Sequence, residues 1–311
     1  MPEPGHRNVL LTGATGFLGP YVAEALRGEG WQVRAALRRA MPVYEGGSVA
    51  VGSIGPRTDW SAALQGIDAV VHLAGLAHRP PAAQRAAREE YAAVNVDGTL
   101  NLARQAKAAG VRDFVFMSSI AVNGSSTDGR SPFREDDAPD PKTLYGETKA
   151  AAEAGLRAIA SPDMAVTAVR PPMIYGRHAK GSFRTLSNLI ARGVPLPFGA
   201  VRNRRAFIGA KNLAQFVVFA LKRDRQPFDA FIVADDEQLS TADFARALAT
   251  AQGRDAWLVP VPVTFVSSVL RLIGKADLID SAFSSLELDT AKAKAAGWAP
   301  QVPMKIGLTR A

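Results

Sequence analysis

The chain has 311 residues with ordinary proportions of hydrophobic (47%) and charged (21%) side chains, and its lack of cysteine excludes disulfides and thiolate catalysis. Four scattered histidines disfavour a metal site, and the absence of a long apolar run or signal-peptide pattern predicts a cytoplasmic protein with no membrane partner. The net charge of +8 favours anionic partners, but the dispersed basic residues indicate an anionic small molecule and no nucleic acid.

The first half of the chain alternates short apolar runs with alanine-rich stretches. Strands are predicted at 8–12, 32–37, 48–52, 69–73, 113–117 and 165–170, and helices at 17–29, 86–109 and 143–160. Such alternation predicts the α/β fold class, a Rossmann-like doubly wound parallel sheet. The runs "DAVVHLAG" and "DFVFMSS" are almost continuously apolar, as a sheet covered on both faces requires.

After about residue 172 the pattern changes, with Pro-punctuated runs such as "GVPLPFG" and "VPVPVTF", irregular helices and fewer strands. A helix at 209–223 followed by the run "DAFIVAD" indicates one further αβ unit within this half. We therefore predict a dinucleotide-binding domain over 1–172, completed by about 206–235. Residues 173–205 and 236–311 are predicted to form a smaller, C-terminal substrate-binding lobe.

The stretch "LLTGATGFLG" places Gly13, Gly16 and Gly19 at three-residue intervals between the first strand and the first helix. A glycine-rich turn at a helix N-terminus lets backbone N–H groups approach a phosphate, as in dinucleotide-binding folds. The alternative is a strand-to-helix turn that is rich in glycine for purely structural reasons.

The end of the second predicted strand indicates which dinucleotide would bind. Arg38 lies nineteen residues beyond Gly19 and is followed by Arg39, with no acidic residue nearby. An acidic residue here would bond the ribose hydroxyl of NAD, whereas arginine suits the 2′-phosphate of NADP. NADP is therefore the first choice and NAD the second. The alternative is a solvated basic loop.

Three residues could carry proton and hydride chemistry. Tyr145 and Lys149 are four apart in a predicted helix, which puts both on one face, and Ser119 ends the strand "FVFMSS". A phenol acts as a base near neutral pH only if its pKa falls by about 3 units, which a neighbouring ammonium and an oxidised nicotinamide favour. Alone, the Tyr/Lys pair is more often surface decoration and the serine a local cap.

Together these motifs resemble the extended short-chain dehydrogenase/reductases, in particular the nucleotide-sugar epimerase/dehydratase/reductase branch. The resemblance spans nearly the whole chain. It rests on "TGATGFLG", "DAVVHLAG", "VNVDGTLNL", "FVFMSSIAVNG", "YGETK", "RPPMIYG", "LPFGAVRNRRAFI" and "LELDTAKAKAAGWAP".

The resemblance implies roles for individual residues. Catalysis would fall to Ser119, Tyr145 and Lys149. The cofactor would contact Gly13, Gly16, Phe17, Leu18, Gly19, Arg38, Arg39, Ser53, Ile54, Leu73, Ala74, Gly75, Asn95, Tyr145, Lys149 and Pro172. The substrate would contact Ser119, Ser182, Phe183, Phe198 and Arg205, with Arg205 on the diphosphate. Met173 stands where many UDP-hexose epimerases have asparagine, so the phosphate contacts must differ.

The implied activity is NAD(P)-dependent chemistry at C4 of a nucleotide sugar, a UDP-hexose or UDP-N-acetylhexosamine, as a 4-epimerase or a 4-reductase. A 4,6-dehydratase is disfavoured because "SSIAV" lacks the Asp-Glu pair for elimination. A homodimer through the helices near 86–109 and 143–160 is also implied. The alternative function is a non-catalytic NADP-binding sensor or assembly protein on the same fold.

Overall fold

A computed structural model describes residues 7–39, 47–77, 87–272 and 277–309. The chain divides into two compact units. The first comprises residues 1–122, 139–170 and 214–231, and the second comprises 123–138, 171–213 and 232–311.

The first unit is built on a parallel sheet. Its strands are β1 (Arg7–Thr12), β2 (Trp31–Leu37), β3 (Ser48–Ala50), β4 (Ala69–His72), β5 (Asp113–Met117), β6 (Ala165–Arg170) and β9 (Phe228–Ile232). They lie in the order β3-β2-β1-β4-β5-β6-β9, and the pairs from β3 to β6 are parallel. The predicted strands and the Rossmann-like fold class are thus confirmed.

Helices flank this sheet, and those predicted at 17–29, 143–160 and 209–223 are confirmed to within two residues at each end. They are α1 (Gly19–Gly28), α2 (Ser61–Leu64), α3 (Arg88–Tyr91), a π-helical segment (Ala92–Asp97), α4 (Gly98–Ala108), a 3₁₀ turn (Ile120–Val122), α5 (Leu144–Ile159) and α7 (Ala210–Lys222). The helix predicted at 86–109 is therefore interrupted by a wider turn. Trp60, Phe114, Phe116 and Leu156 belong to the buried core between sheet and helices.

The second unit is smaller in regular structure. It contains the parallel pair β7 (Met173–Tyr175) and β8 (Phe207–Gly209). Its helices are α6 (Gly181–Ala191), α8 (Thr241–Ala251), α9 (Val263–Leu272), α10 (Asp277–Ala282), α11 (Ala291–Ala295) and α12 (Met304–Thr309). Tyr175, Phe183, Phe207 and Phe244 pack together as an aromatic core.

The division between the units differs from the predicted domain boundaries at residues 123–138. This segment lies within the predicted first domain but belongs to the second unit. Its backbone pairs with a distant segment, with Thr127 N–H donating to Ser285 O (2.9 Å) and Phe133 N–H to Glu287 O (2.9 Å). These long-range hydrogen bonds fix the segment there.

Across the described parts of the chain, no group of three or more metal-ligating side chains is placed to hold an ion. Within the same residues, no helix combines the length and the apolar character that a membrane span requires.

Candidate functional site

The glycine-rich turn between β1 and α1 leaves no room for side chains. Gly13 has φ +70°, and a Cβ on it would lie 2.9 Å from Ala74 N. A Cβ on Gly19 would lie 2.2 Å from Ala14 O, closer than any real contact. The turn itself is closed by Gly16 N–H donating to Gly13 O at 2.9 Å. The backbone is thus bare at the N-terminus of α1, which fits the pyrophosphate of a dinucleotide.

The other predicted cofactor residues follow the carboxyl ends of neighbouring strands. In sheet order these are Ser53 and Ile54 after β3, Arg38 and Arg39 after β2, Phe17 and Leu18 after β1, and Leu73, Ala74 and Gly75 after β4. Because carboxyl ends of parallel strands meet at one edge of the sheet, these residues form a continuous strip there. Both arginines are exposed. Pro172 follows β6 but is a buried residue of the second unit.

Asn95 lies in the π-helical segment 92–97 and is almost completely buried. Its Oδ1 accepts from Leu76 N–H (2.7 Å), and its Nδ2 donates to Leu76 O (3.0 Å) and Thr148 Oγ1 (3.1 Å). Thr148 Oγ1 in turn donates to Tyr145 O (2.9 Å). Asn95 therefore ties the loop after β4 to the helix that carries the tyrosine, and π-helical turns are frequent at such functional positions.

A buried histidine continues this network. Because the Thr99 hydroxyl donates to Asn95 O (2.8 Å), it must accept from His72 Nε2–H (3.0 Å), and Nδ1 of the neutral ring then accepts from the Thr12 hydroxyl, 2.7 Å away. Thr12 Oγ1 also accepts from Ala74 N–H (3.2 Å). Burial and the charge of Lys149 lower the pKa of His72 to about 3, so it stays neutral. His72 thereby fixes the backbone beside the glycine turn.

Ser119 and Tyr145 meet because the first turn of α5 packs tightly on the turn after β5. A Cβ on Gly146 would lie 2.5 Å from Ala121 O, and Thr143 caps the helix by accepting from Gly146 N–H (3.1 Å). Ser119 Oγ accepts from Ala121 N–H (3.2 Å) and also interacts with the Tyr145 hydroxyl. Both Ser119 and Tyr145 remain partly exposed.

Lys149 lies one turn further along α5 and is 3% exposed. Its Nζ donates to Met117 O (2.8 Å) and sits 4.5 Å from the centre of the Phe116 ring and 5.8 Å from that of Tyr145. A Cβ on Gly75 would lie 3.4 Å from Nζ, so this backbone also passes close to the ammonium. Burial lowers the pKa of Lys149 to about 8, although the Glu153 charge raises it.

The pKa of Tyr145 is raised above the usual value of a phenol, mainly by burial. Burial, with a smaller contribution from the neighbouring Tyr91, raises the pKa of Tyr145 to about 12, although the hydrogen bond with Ser119 lowers it. In this structure, the tyrosine therefore holds its proton at neutral pH. The lowering expected from the neighbouring ammonium together with an oxidised nicotinamide stays a prediction.

Behind Lys149, α5 carries a buried ion pair. Glu153 accepts hydrogen bonds from Arg170 Nε (3.0 Å) and Nη2 (2.6 Å), and also one from the Ser118 hydroxyl. Both charged side chains are about nine-tenths or more buried, with 5% and 6% of their areas exposed. This pair fixes α5 against the end of β6 and places a carboxylate beneath the lysine.

In the second unit, a cavity of about 320 Å³ brings together part of the predicted substrate set. Ser182, Phe198 and Arg205 line it, as does Met173. Phe183 does not: its ring is 4% exposed and packs in the aromatic core. Its predicted substrate contact stays a prediction.

Arg205 is 6% exposed and already has partners in the wall of this cavity. Its Nη1 donates to the backbone oxygens of Asp280 (2.7 Å) and Ser284 (2.6 Å), near the end of α10. Burial lowers the pKa of Arg205 to about 10, while the charges of Asp128 and Asp280 raise it. The arginine thus remains a cation at neutral pH, and two of its five N–H groups hold the 280–284 segment.

Sequence reasoning missed several residues that shape these sites. The polar ones are Thr12, His72, Thr99, Thr148 and Glu153. A histidine inside the otherwise apolar strand "DAVVHLAG" was the available signal, because a buried polar side chain requires partners. The apolar ones in the cavity are Leu186, Leu189, Val266, Leu270 and Phe283.

The chain is similar to known proteins in both sequence and structure. The family model described as "NAD dependent epimerase/dehydratase family" matches residues 9–234. A Vibrio cholerae protein named UDP-glucose 4-epimerase is 35% identical over 305 residues, covering 97% of this chain and 93% of that protein. An Escherichia coli O157:H7 protein named N-acetyl-alpha-D-glucosaminyl-diphospho-ditrans,octacis-undecaprenol 4-epimerase is 28% identical over 236 residues, covering 75% and 69%. The solved structure of MoeE5 in complex with UDP-glucose and NAD has a TM-score of 0.76 at 26% identity, covering 97% and 96%.

Proposed function

Because the chain belongs to the NAD-dependent epimerase/dehydratase family, we propose that it acts at C4 of a diphosphate-activated sugar, as a 4-epimerase or 4-reductase. One observation carries the proposal: Tyr145 contacts Ser119 and lies close to Lys149 in the first unit. The backbone of Gly75, one of the predicted cofactor residues, passes close to the same lysine. A UDP-sugar is the first candidate substrate, since relatives are named for UDP-sugars. The sugar on a lipid diphosphate that names the E. coli relative is the second.

The chain's residues divide the chemistry as follows. A bound nicotinamide cofactor would supply or accept the hydride. In a 4-epimerase, Tyr145 as phenolate would take the proton of the C4 hydroxyl as hydride leaves C4, and would return it to the C4 oxygen as hydride comes back. In a 4-reductase, the protonated Tyr145 would give its proton to the C4 oxygen as hydride arrives, and would be reprotonated from solvent. Ser119 would hydrogen-bond the same oxygen and align it. Lys149, a buried cation one turn away, would stabilise the phenolate whenever Tyr145 is deprotonated.

The choice of cofactor is a separate part of the proposal. Arg38 and Arg39 are exposed directly after β2, where a 2′-phosphate would lie, and they support NADP. The MoeE5 structure, in contrast, holds NAD. Calorimetry decides between the two cofactors. It measures the affinities of the wild type and of Arg38→Ala for NADP and for NAD. If NADP is the cofactor, the variant should lose about tenfold in NADP affinity, because one charge-assisted contact is lost, with little change for NAD.

An absorbance assay separates the two reaction outcomes. Purified protein is incubated with UDP-hexoses, with and without NADPH or NADH, while the reduced-nicotinamide band is followed. A 4-epimerase should convert the sugar with no net change in absorbance, since hydride returns to the same carbon. Loss of absorbance in proportion to product would identify a 4-reductase. No conversion of any diphosphate-linked sugar would contradict the proposed function.

Tyr145→Phe tests the proposed mechanism. The variant removes the proton donor and keeps the ring, so turnover should fall by about 10²–10⁴-fold, as for loss of a general acid. Its affinity for cofactor should stay near that of the wild type. Unchanged turnover in this variant would remove the mechanism. Cofactor binding without turnover in the wild type would instead favour the sensor or assembly function.

The homodimer through α3, α4 and α5 stays a prediction. Sedimentation of the purified protein, which measures its oligomeric state, tests it.

A further inference from the structure

The cavity of the second unit has an apolar lining that suits a hydrocarbon chain. Its wall includes aliphatic side chains from two helices, Leu186 and Leu189 of α6 and Val266 and Leu270 of α9. Phe198 and Phe283 also line it, with ring centres 5.6 Å apart. The polar lining consists of Arg205 and a few hydroxyls. A nucleobase needs hydrogen-bond partners for its polar edge, whereas an alkyl chain needs none.

The helix α9 is apolar outside the cavity as well. Val266 and Leu270 line the cavity, but Phe265 and Leu272, on the same helix, are 64% and 87% exposed. Trp257, six residues before α9, is 63% exposed. Exposed large apolar side chains on and near a helix that lines an apolar cavity favour an interaction site. Trp and Phe are the side chains that anchor proteins at a membrane interface.

The charge of residues 171–213, which supply part of the cavity wall, favours an anionic occupant, although the carboxylates of Asp128 and Asp280 also act on Arg205. Residues 171–213 contain eight arginines and lysines and no aspartate or glutamate. Arg184 and Arg192 are exposed within and directly after α6, the helix that lines the cavity with leucines. Arg271 is exposed on α9 beside Leu272. Basic side chains next to an apolar surface complement an amphiphile with an anionic head, such as a lipid at a bilayer surface.

We propose that this cavity and the exposed face of α9 bind a membrane lipid, and that the chain acts at a bilayer surface on a sugar carried by a polyprenyl or acyl diphosphate. The hydrocarbon chain would occupy the cavity, and Arg205 with the neighbouring arginines would face the diphosphate. Phe265, Leu272 and Trp257 would enter the lipid interface. The choice of reaction rests on the proposed function, whereas membrane binding stands apart from it. This inference replaces the expectation from composition that the protein has no membrane partner.

Vesicle binding tests the membrane part without any need for turnover. The other three tryptophans, Trp31, Trp60 and Trp298, are at most 5% exposed, so a change in emission on vesicle addition reports Trp257. Vesicles of phosphatidylcholine containing phosphatidylglycerol should shift this emission to the blue and sediment with the protein. Pure phosphatidylcholine vesicles should bind more weakly, because the basic residues then lack anionic partners.

Matched variants locate the surface. Phe265→Ser and Leu272→Ser should each weaken binding to the anionic vesicles by about tenfold, since each removes one apolar side chain from the interface. Ile306→Ser is the control, because Ile306 is also apolar and 47% exposed but lies on α12. Equal weakening by the control, or no binding of the wild type to anionic vesicles, would overturn the proposal. So would a dimer that Leu272→Ser dissociates in the absence of any vesicle binding.

The carrier is tested with farnesyl diphosphate and UDP as probes, by their effect on thermal unfolding. Farnesyl diphosphate should raise the unfolding midpoint more than UDP, and Leu189→Trp, which fills the cavity, should remove this difference. Leu270→Trp provides a second filled cavity should the first variant fold poorly. Stabilisation by UDP alone would overturn the lipid carrier and leave the proposed C4 chemistry standing. Stabilisation by farnesyl diphosphate in a protein that converts no sugar would support the lipid site and overturn the proposed C4 chemistry.

Discussion

At the scale of single residues, the charge of Lys149 sets the pH range of the proposed reaction. Its pKa is lowered by burial to about 8, so the ammonium is present below that pH and is lost as the pH rises through it. Turnover should therefore fall on the alkaline side near pH 8. Glu153 opposes the lowering, so Glu153→Gln should move this alkaline limb to lower pH. The dependence of kcat/KM on pH, measured for both proteins, checks this.

Glu147→Gln is the matched control for this prediction. Glu147 lies on the same helix but is exposed, and it pairs with Arg88 at 3.0 Å. Its substitution should leave the alkaline limb in place, because water screens the charge of an exposed carboxylate. If the alkaline limb of the kcat/KM profile moves equally in both variants, or in neither, Glu153 has only a structural role in its pair with Arg170.

At the scale of elements, the glycine turn provides a sharp comparison within one helix. A Cβ on Gly19 would meet Ala14 O at 2.2 Å, so Gly19→Ala must displace backbone at the start of α1. We expect it to reduce the free energy of unfolding by about 1–3 kcal/mol and to weaken cofactor binding.

Gly28, at the other end of α1, has open space around it. Gly28→Ala should increase stability by about 0.5–1 kcal/mol with cofactor affinity unchanged. Urea unfolding and calorimetric titration measure both quantities, and similar losses in the two variants would contradict the steric argument.

The elements also show what periodicity can and cannot predict. Strands β1, β2, β5 and β6 lie within one residue of the predicted bounds, because a sheet buried on both faces leaves continuous apolar runs. The π-helical segment 92–97 was not predictable, since its wide turn is held by contacts far along the chain. Asn95 bonds Leu76 and Thr148, and neither partner has a local sequence signal. The Tyr/Lys spacing predicted a shared face, but the raised pKa of Tyr145 depends on burial, which no spacing shows.

At the scale of the whole molecule, the chain order conceals how the units are assembled. The change in pattern near residue 172, where Pro-containing runs such as "GVPLPFG" appear and strands become rarer, predicts a second lobe, and the second unit includes residues 171–213 and 232–311. The segment 123–138 has a polar, loop-like sequence and gives no sign that it belongs with residues 284–289. Only backbone pairing such as that of Phe133 with Glu287 reveals it. The apolar cavity is likewise formed by helices far apart in sequence, each of which reads only as amphipathic.

The division between the units falls inside α7, after Leu213, and before the last residue of β9, which predicts a single cooperative unfolding transition. The helix α7 (Ala210–Lys222) and the strand β9 (Phe228–Ile232) each begin in one unit and end in the other. Neither unit can unfold fully without breaking α7, so a ligand of the first should stabilise the second. Cofactor at about 100 times its Kd should raise the free energy of unfolding by about 2.7 kcal/mol. Hydrogen exchange of the slowest amides in β5 and in α8 should report the same increase, since β5 lies in the first unit and α8 in the second. Slower exchange confined to β5 would show that the units unfold separately, and that a ligand of one leaves the other unprotected.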